Sequence, residues 1–523
     1  GHGMIARTWA HPALPPPEPA MARGRALAAT AVALSMGGAS AGLAVTLAGL
    51  EMKYLVAVAA ALAGVVGLPL LGSLARIRLV MVMALALGLS VGLSISFFHR
   101  TILPQAYVVF AAGAEAVTVS LSFVACLGYL LAWFGERVLY GVRWPPRFHQ
   151  PLVWPSVLFM VAGLFSLVNA YDAPLVLLEE LRLAQLLLIT LVAMNLRERE
   201  LSLYLWTLGL STGLQAGLAA LQYATGHSLG LGVFGEANLV AMSIDYQKIP
   251  RPTGTLGDPN ILSYFFEIAA PAMLALLLAA RGGMERLFFG AATAAALAGL
   301  LVSLSRAAWM TVPLTFGFLL VTVYGRRAFT RRAAVIGIAI LGALAVAAVF
   351  VYPLVARRLF GDDAGSIGHR LPLIRAALSV LAQFPVFGVG LNNFAVTFAR
   401  YDTTGYALVF YEGDHVVHNL HLLVWTEVGT VGFLAYLACF LSAFIAAGRI
   451  GRQHPWRRAA ALGIAAGLFA HLFHGMVDPG FKLSLTISQL IAAQLGIIGC
   501  LALGARQPNS FRGRSARPFP RPR

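Results

Sequence analysis

GHRLPLIRAALSVLAQFPVFGVGLNNF, residues 368–394, and EGDHVVHNLHLLVWTEVGTVGF, residues 412–433, belong to the longest polar interruption of an otherwise almost continuously apolar chain. The interruption runs from Pro353 to about Gly432. Working outward from it, apolar residues make up 59% of the 523 residues and charged residues 11%, and mean hydropathy is +0.79. A soluble domain carries roughly a quarter charged residues. Apolar runs of about 20 residues, the length that crosses a bilayer as a helix, recur from residue 26 to 504. Lipid offers the backbone no hydrogen-bond partners, so these runs must be helices packed as a bundle.

The expected fold is an all-α polytopic membrane protein of about 12–14 transmembrane helices, with a large loop that contains short helices. Fourteen runs fit, at 26–50, 54–72, 79–98, 106–134, 152–170, 174–195, 201–224, 261–280, 287–304, 307–325, 333–352, 416–447, 459–477 and 481–504. The Pro-rich residues 1–25 read as a disordered tail, 26–352 as transmembrane helices, and 353–415 as the loop. Residues 416–504 read as the C-terminal transmembrane helices and 505–523 as a basic cytoplasmic tail. With the N-terminus inside, the greater part of the 38 Lys and Arg falls on the cytoplasmic side, as the positive-inside bias requires. The net charge of +17 is therefore a topology signal, helped by membrane lipids, and needs no nucleic acid. Cys126, Cys439 and Cys500 sit inside apolar runs without metal-ligand spacing and read as small buried hydrophobes.

Some basic residues fall on the far side, and they cluster with polar groups. Asp414 suits an N-cap, which would place His418, His421 and Trp425 on one face of the twelfth span. A histidine at such a mouth accepts a proton near neutral pH; the blander alternative is an interfacial histidine bound to a loop. Arg306 in VSLSRAAWM lies where almost no loop exists. An arginine deep in a membrane costs about 2.5–3.5 kcal/mol at mid-bilayer and pairs, snorkels or lines a pathway. Arg370 opens a short helix whose apolar positions Leu371, Ile374, Leu378 and Leu381 face the bundle, with Pro372 in its first turn. Gly388 and Gly390, followed by Asn392 and Asn393, mark a tight turn. Glu179, Glu180 and Arg182 are charges within a span, with Arg182 paired to one of the glutamates. Arg251, Asp258, Asn260, His474 and Asp478 border the same face. Guanidinium forks match phosphate oxygens, so the pattern suggests an amphiphile with a pyrophosphate head and a long apolar tail.

SLSRAAWM, GHRLPLIRAALSVLAQFPVFGVGLNNF and HNLHLLVWTEVGTVGFLAY, with RPTGTLGDPNILSYF and LFHGMVDPGF as looser echoes, resemble the O-antigen ligase and O-antigen polymerase superfamily of bacterial membrane glycosyltransferases. The resemblance implies a GT-C-like fold with a large periplasmic loop over a lipid-facing cavity. It implies a multi-pass protein of the bacterial inner membrane that moves a glycan from an undecaprenyl-pyrophosphate donor to an acceptor hydroxyl, with no cofactor or metal. The acceptor would be a glycan, the lipid A core or a protein. His418 then maps to the catalytic histidine, and Arg306, Arg370 and Arg251 to the pyrophosphate site. Asn260, Asn392, Asn419, His421, Glu427 and Asp478 are supporting candidates. Two alternatives stay open, a lipid-linked oligosaccharide flippase or transporter and a protein O-oligosaccharyltransferase.

Overall fold

The computed structural model describes residues 73–98, 114–142, 145–244, 247–324, 366–406 and 416–506, with Arg331 and Gly342. The runs expected at 26–50 and 54–72, that at 333–352 except Gly342, the tail 1–25, Asp414 and the residues after Arg506 lie outside the described residues. The chain divides into two units, Gly1–Ile77 and Arg78–Arg523, and apart from the start of the first helix, Leu74–Ile77, all that follows concerns the second.

In chain order the elements are α1 (Leu74–Gly88), β1 (Ser94–Phe97), β2 (Val117–Ser120), α2 (Leu121–Tyr140), α3 (Gln150–Phe165), α4 (Ala173–Met194) and α5 (Glu198–Thr225). There follow β3 (Val240–Ile244), β4 (Gln247–Arg251), α6 (Pro259–Ala279), α7 (Gly283–Val302), α8 (Arg306–Tyr324) and α9 (Ser366–Gln383). The last are α10 (Phe394–Thr397), α11 (Leu420–Gly448), α12 (Pro455–His474), α13 (Gly480–Leu483) and α14 (Leu485–Arg506). Two antiparallel hairpins, β1–β2 and β3–β4, are the only strands among the described residues. Among the described residues, seven helices are long and apolar enough to cross a membrane, namely α2, α3, α6, α7, α8, α11 and α14. The protein is an all-α polytopic membrane protein. α4, α5 and α12 occupy three expected runs and pack in the same bundle, but are more polar.

The core lies around α6, which is buried along nearly its whole length between α7 and α12. Small residues set the spacing, as they must where lipid is as apolar as leucine. A Cβ on Gly467 would overlap the Ile268 carbonyl, and one on Gly463 would reach the Pro271 carbonyl at 2.8 Å. Gly496 likewise brings α14 against the Thr190 carbonyl of α4. The three cysteines are buried.

Several expected boundaries are corrected. The run 79–98 is helical only to Gly88, where a Cβ would strike Ser122; the chain then turns and pairs Ser94–Phe97 with Val117–Ser120. The helix expected from 106 begins at Leu121, because the β-branched Val117, Thr118 and Val119 favour the strand and Ser120 caps the helix by accepting from the Phe123 amide. α9 starts at Ser366, so Arg370 lies in its second turn and Pro372 inside it. Its buried face is Leu373, Ala376, Ala377 and Val380, while Leu371 and Leu378 point outward. The apolar period was read correctly as helical and assigned to the wrong face, since both stripes are apolar.

α11 is broken at Gly429, whose φ of 65° and ψ of −172° lie outside the helical region. The break frees the carbonyls of Thr426 and Glu427, and they accept from the amides of Val389 (2.9 Å) and Gly390 (3.1 Å). On the other side of the break the Thr430 amide donates to the Pro385 carbonyl at 2.9 Å. The FPVFGVG segment is thus stitched across the gap. Gly388 and Gly390 adopt φ of 71° and 111° there.

Candidate active site

Three stretches far apart in sequence meet at one end of the bundle. The first is RPTGTLGDPN, residues 251–260. Asp258 caps α6 by accepting from the amides of Asn260 (2.7 Å) and Ile261 (3.1 Å), which leaves the Asn260 side chain at the helix mouth. Its Oδ1 accepts from Arg251 Nη2 at 2.9 Å, and its Nδ2 donates to Asp478 Oδ2 at 3.4 Å. Arg251 also donates from Nε to the Ser303 carbonyl at 3.1 Å. It is buried and splits its fork between two elements.

Glutamines on α5 hold this loop. Gln222 Oε1 accepts from the amides of Thr253 (3.1 Å) and Gly254 (2.8 Å). Gln215 Nε2 donates to the Ser90 carbonyl and to Thr255 Oγ1, both at 2.6 Å. Glu236 secures Gln222, accepting from its Nε2 at 2.6 Å and from the amides of Leu229 and Leu231, also at 2.6 Å. Burial disfavours the Glu236 anion, but these donors prevail and hold its carboxyl below the ordinary carboxylate range. A depressed carboxyl stabilises the fold above its unfolded pKa and stops doing so as pH falls through its folded value. Glu236→Gln is therefore expected to lower the Tm at pH 7, since an amide offers one acceptor where three donors converge. The gap from wild type should close below about pH 4, and Tm measured against pH checks this.

The second stretch is the turn Ser303–Ser305 between α7 and α8, with Leu304 at φ 55°. Arg306 is the first residue of α8 and half-buried. The bond from Arg251 to the Ser303 carbonyl brings this turn to the first stretch.

The third comprises the junctions before α11 and after α12. Asn419 caps α11, accepting from the Leu422 amide at 2.9 Å. His418 therefore precedes the helix and does not share a helical face with His421 and Trp425. The Asn419 cap ends the helix there, and its φ of −156° is extended backbone. The Leu420 amide donates to the Gly475 carbonyl at 2.6 Å, and His421 Nε2 sits 2.8 Å from the Leu472 carbonyl. These bonds clamp the start of α11 to the end of α12. Asp478 follows α12, with its amide on the His474 carbonyl and its own carbonyl accepting from Tyr264 Oη at 2.6 Å. Burial, together with the like charge of Asp258, raises the Asp478 carboxyl above its ordinary range. The charges of His474, His418 and Arg370 act on it in the opposite sense. His418, Arg370, Asp478, Asn260 and Arg251 are thus one electrostatic neighbourhood.

Other candidates lie elsewhere. Glu427 belongs to a buried ion cluster, 2.9 Å from Lys482 Nζ, which also lies 2.8 Å from Glu179. Arg182 pairs with Glu179 through Nε at 2.9 Å. Asn392, at φ 61°, donates to the Ala114 carbonyl at 2.8 Å. His421 serves the helix clamp, and Trp425 stacks on Phe433. The sequence reading passed over Glu267, Lys482, Gln215 and Gln222. Glu267 and Lys482 carried a signal, as isolated charges in apolar stretches. The glutamines carried none. His415 lies outside the described residues.

The fold and the site define a polytopic membrane protein with a cluster of arginines, a histidine and an aspartate at one end of its helices. Residues 291–437 match the family model described as O-antigen ligase. That match supports the O-antigen ligase and polymerase superfamily and, in general terms, a glycosyltransferase-like ligase or polymerase. The matched stretch holds Arg306, Arg370 and His418, whereas Arg251, Asn260 and Asp478 join them from outside it. No curated protein matches the chain.

Proposed function

We propose that the protein transfers a glycan from an undecaprenyl-pyrophosphate donor to an acceptor hydroxyl at the periplasmic face of the bacterial inner membrane. The observation that carries this reading is the convergence of His418, Arg370, Asp478 and the Asn260–Arg251 pair, with the Arg306 turn joined to it through Ser303. The acceptor oxygen attacks the anomeric carbon while the bond from that carbon to the pyrophosphate oxygen breaks. His418 takes the hydroxyl proton as general base. Arg306 and Arg370 hold the departing pyrophosphate, whose charge they stabilise best where water is scarce. Arg251 orders the rim by joining two elements.

The test is transfer by the purified protein in liposomes containing an undecaprenyl-pyrophosphate-linked glycan, with a glycan, lipid A core or protein acceptor supplied in turn. Accumulation of product with one acceptor supports the reading and names the acceptor; movement of donor across the membrane without chemical change overturns it. Arg251→Lys should lower kcat/KM for the donor by about tenfold, about 1.4 kcal/mol, because an ammonium cannot span Ser303 and Asn260 with a planar fork. Steady-state kinetics at fixed acceptor reads the effect.

A further inference from the structure

We propose that Glu267 and His474 form a buried positioning pair that orients the Asp478 carboxyl beside His418 and favours its ionised form. The inference deepens the proposed transfer reaction and rests on it for its kinetic readout. Glu267 lies on α6 and His474 at the end of α12, each 2% exposed. His474 Nδ1 is 3.0 Å from Glu267 Oε2, which also accepts from Thr311 Oγ1 of α8 at 3.1 Å. The imidazole stacks on the Tyr264 ring at 4.0 Å and 16°, and Tyr264 Oη donates to the Asp478 carbonyl. Three helices thus fix one ring beneath the mouth of the site.

A structural tie alone would be met by a neutral amide pair. Here an ionisable carboxyl group is set in the apolar heart of the bundle, where charge is costly. Among the described residues, Glu267 Oε1 and Asp478 Oδ1 are both buried with no hydrogen-bond partner, so each carboxyl keeps one oxygen that the scaffold does not use. Titratable side chains run in series through Glu267, His474, Asp478 and His418. Asp478 faces His474 from α12, His418 from the segment before α11, Arg370 from α9 and Asp258 from the segment before α6. Burial and Asp258 disfavour its anion and prevail, while His474, His418 and Arg370 act against them. Of these groups α12 itself carries His474, the one paired with Glu267.

The test compares the full-length protein in liposomes with the E267Q/H474Q variant, in which two amides replace the ion pair at similar volume. The expected result is a variant that purifies like wild type, with donor KM within about twofold and kcat lower by about tenfold. Loss of a neighbouring cation raises a carboxyl, so the acid limb of kcat should move up by about one pH unit. An infrared titration of the Asp478 carboxyl band, assigned by its loss in D478N, should move the same way. A wild-type kcat and pH profile in the variant would overturn the proposal. If wild type itself transfers nothing, the proposed reaction fails, and the infrared titration alone decides the pair, an unmoved band overturning it. If the double variant does not fold, T311V removes one donor from Glu267 with little change of volume. It should shift the same limb and band in the same direction, and no shift would overturn the proposal.

Discussion

His418→Ala is expected to reduce kcat for glycan transfer by about 10²–10⁴-fold, with donor KM changed by less than about threefold. A general base acts on the proton that leaves in the transition state and makes little contribution to holding the donor, so kcat carries the loss. The protein should still fold. Helix α11 is capped by Asn419 and clamped by the Leu420 amide and by His421, none of which involves the His418 side chain. Product formation in liposomes, with circular dichroism as the folding control, checks both halves. Full activity in a folded His418→Ala protein would remove His418 from the catalytic role. A loss confined to KM would instead make it a donor contact.

Gly429→Ala is expected to abolish accumulation of folded protein, by a penalty of more than about 4 kcal/mol. At φ 65° and ψ −172° the backbone occupies a region that is essentially glycine's alone and costs another residue about 1–3 kcal/mol. Space makes matters worse, since a Cβ there would overlap the Val386 carbonyl. Relieving that overlap pushes the FPVFGVG segment out of the break and strands the carbonyls of Thr426 and Glu427 inside the bundle. Each buried orphan adds about 1–3 kcal/mol. Gly448→Ala, at the end of the same helix with nothing among the described residues within 4 Å of the added carbon, should accumulate like wild type. Detergent size-exclusion profiles of the two variants measure the contrast.

The amide bonds made at the break also explain why the sequence reading was half right about GVGLNNF. Two glycines two apart signalled a close backbone approach, and that is what Gly388 makes with Glu427 and Gly429. Nothing local said that the partner would be a broken helix 40 residues onward. α11 reads as one unbroken apolar run, and a glycine inside such a run is as compatible with packing as with a break.

The site was legible to a similar depth. Single arginines in apolar surroundings and a histidine at a helix mouth stand out, because charge in lipid is costly and so needs a reason. The helical face proposed for His418, His421 and Trp425 failed since it depended on where the helix begins, and Asn419 won the cap. Asp478 was visible as a charge near a span end. Its bonds to Asn260 and Tyr264 cross more than 200 residues and leave no periodic trace. The glutamines of α5 were invisible for another reason. Polar residues in a moderately polar helix look like a solvated face until a loop is found bonded to them.

By itself, the sequence determined that this protein is a bundle of membrane helices, because hydropathy over about 20 residues is a property of each segment alone. It also marked which residues are too polar for their surroundings, since that cost too is local. Only the tertiary structure decided which of them meet. Arg251 reaches Ser303, Asn260 reaches Asp478, and Glu267 reaches His474 through helix packing and loop closure. Those depend on the whole bundle at once, so no window of sequence could state them.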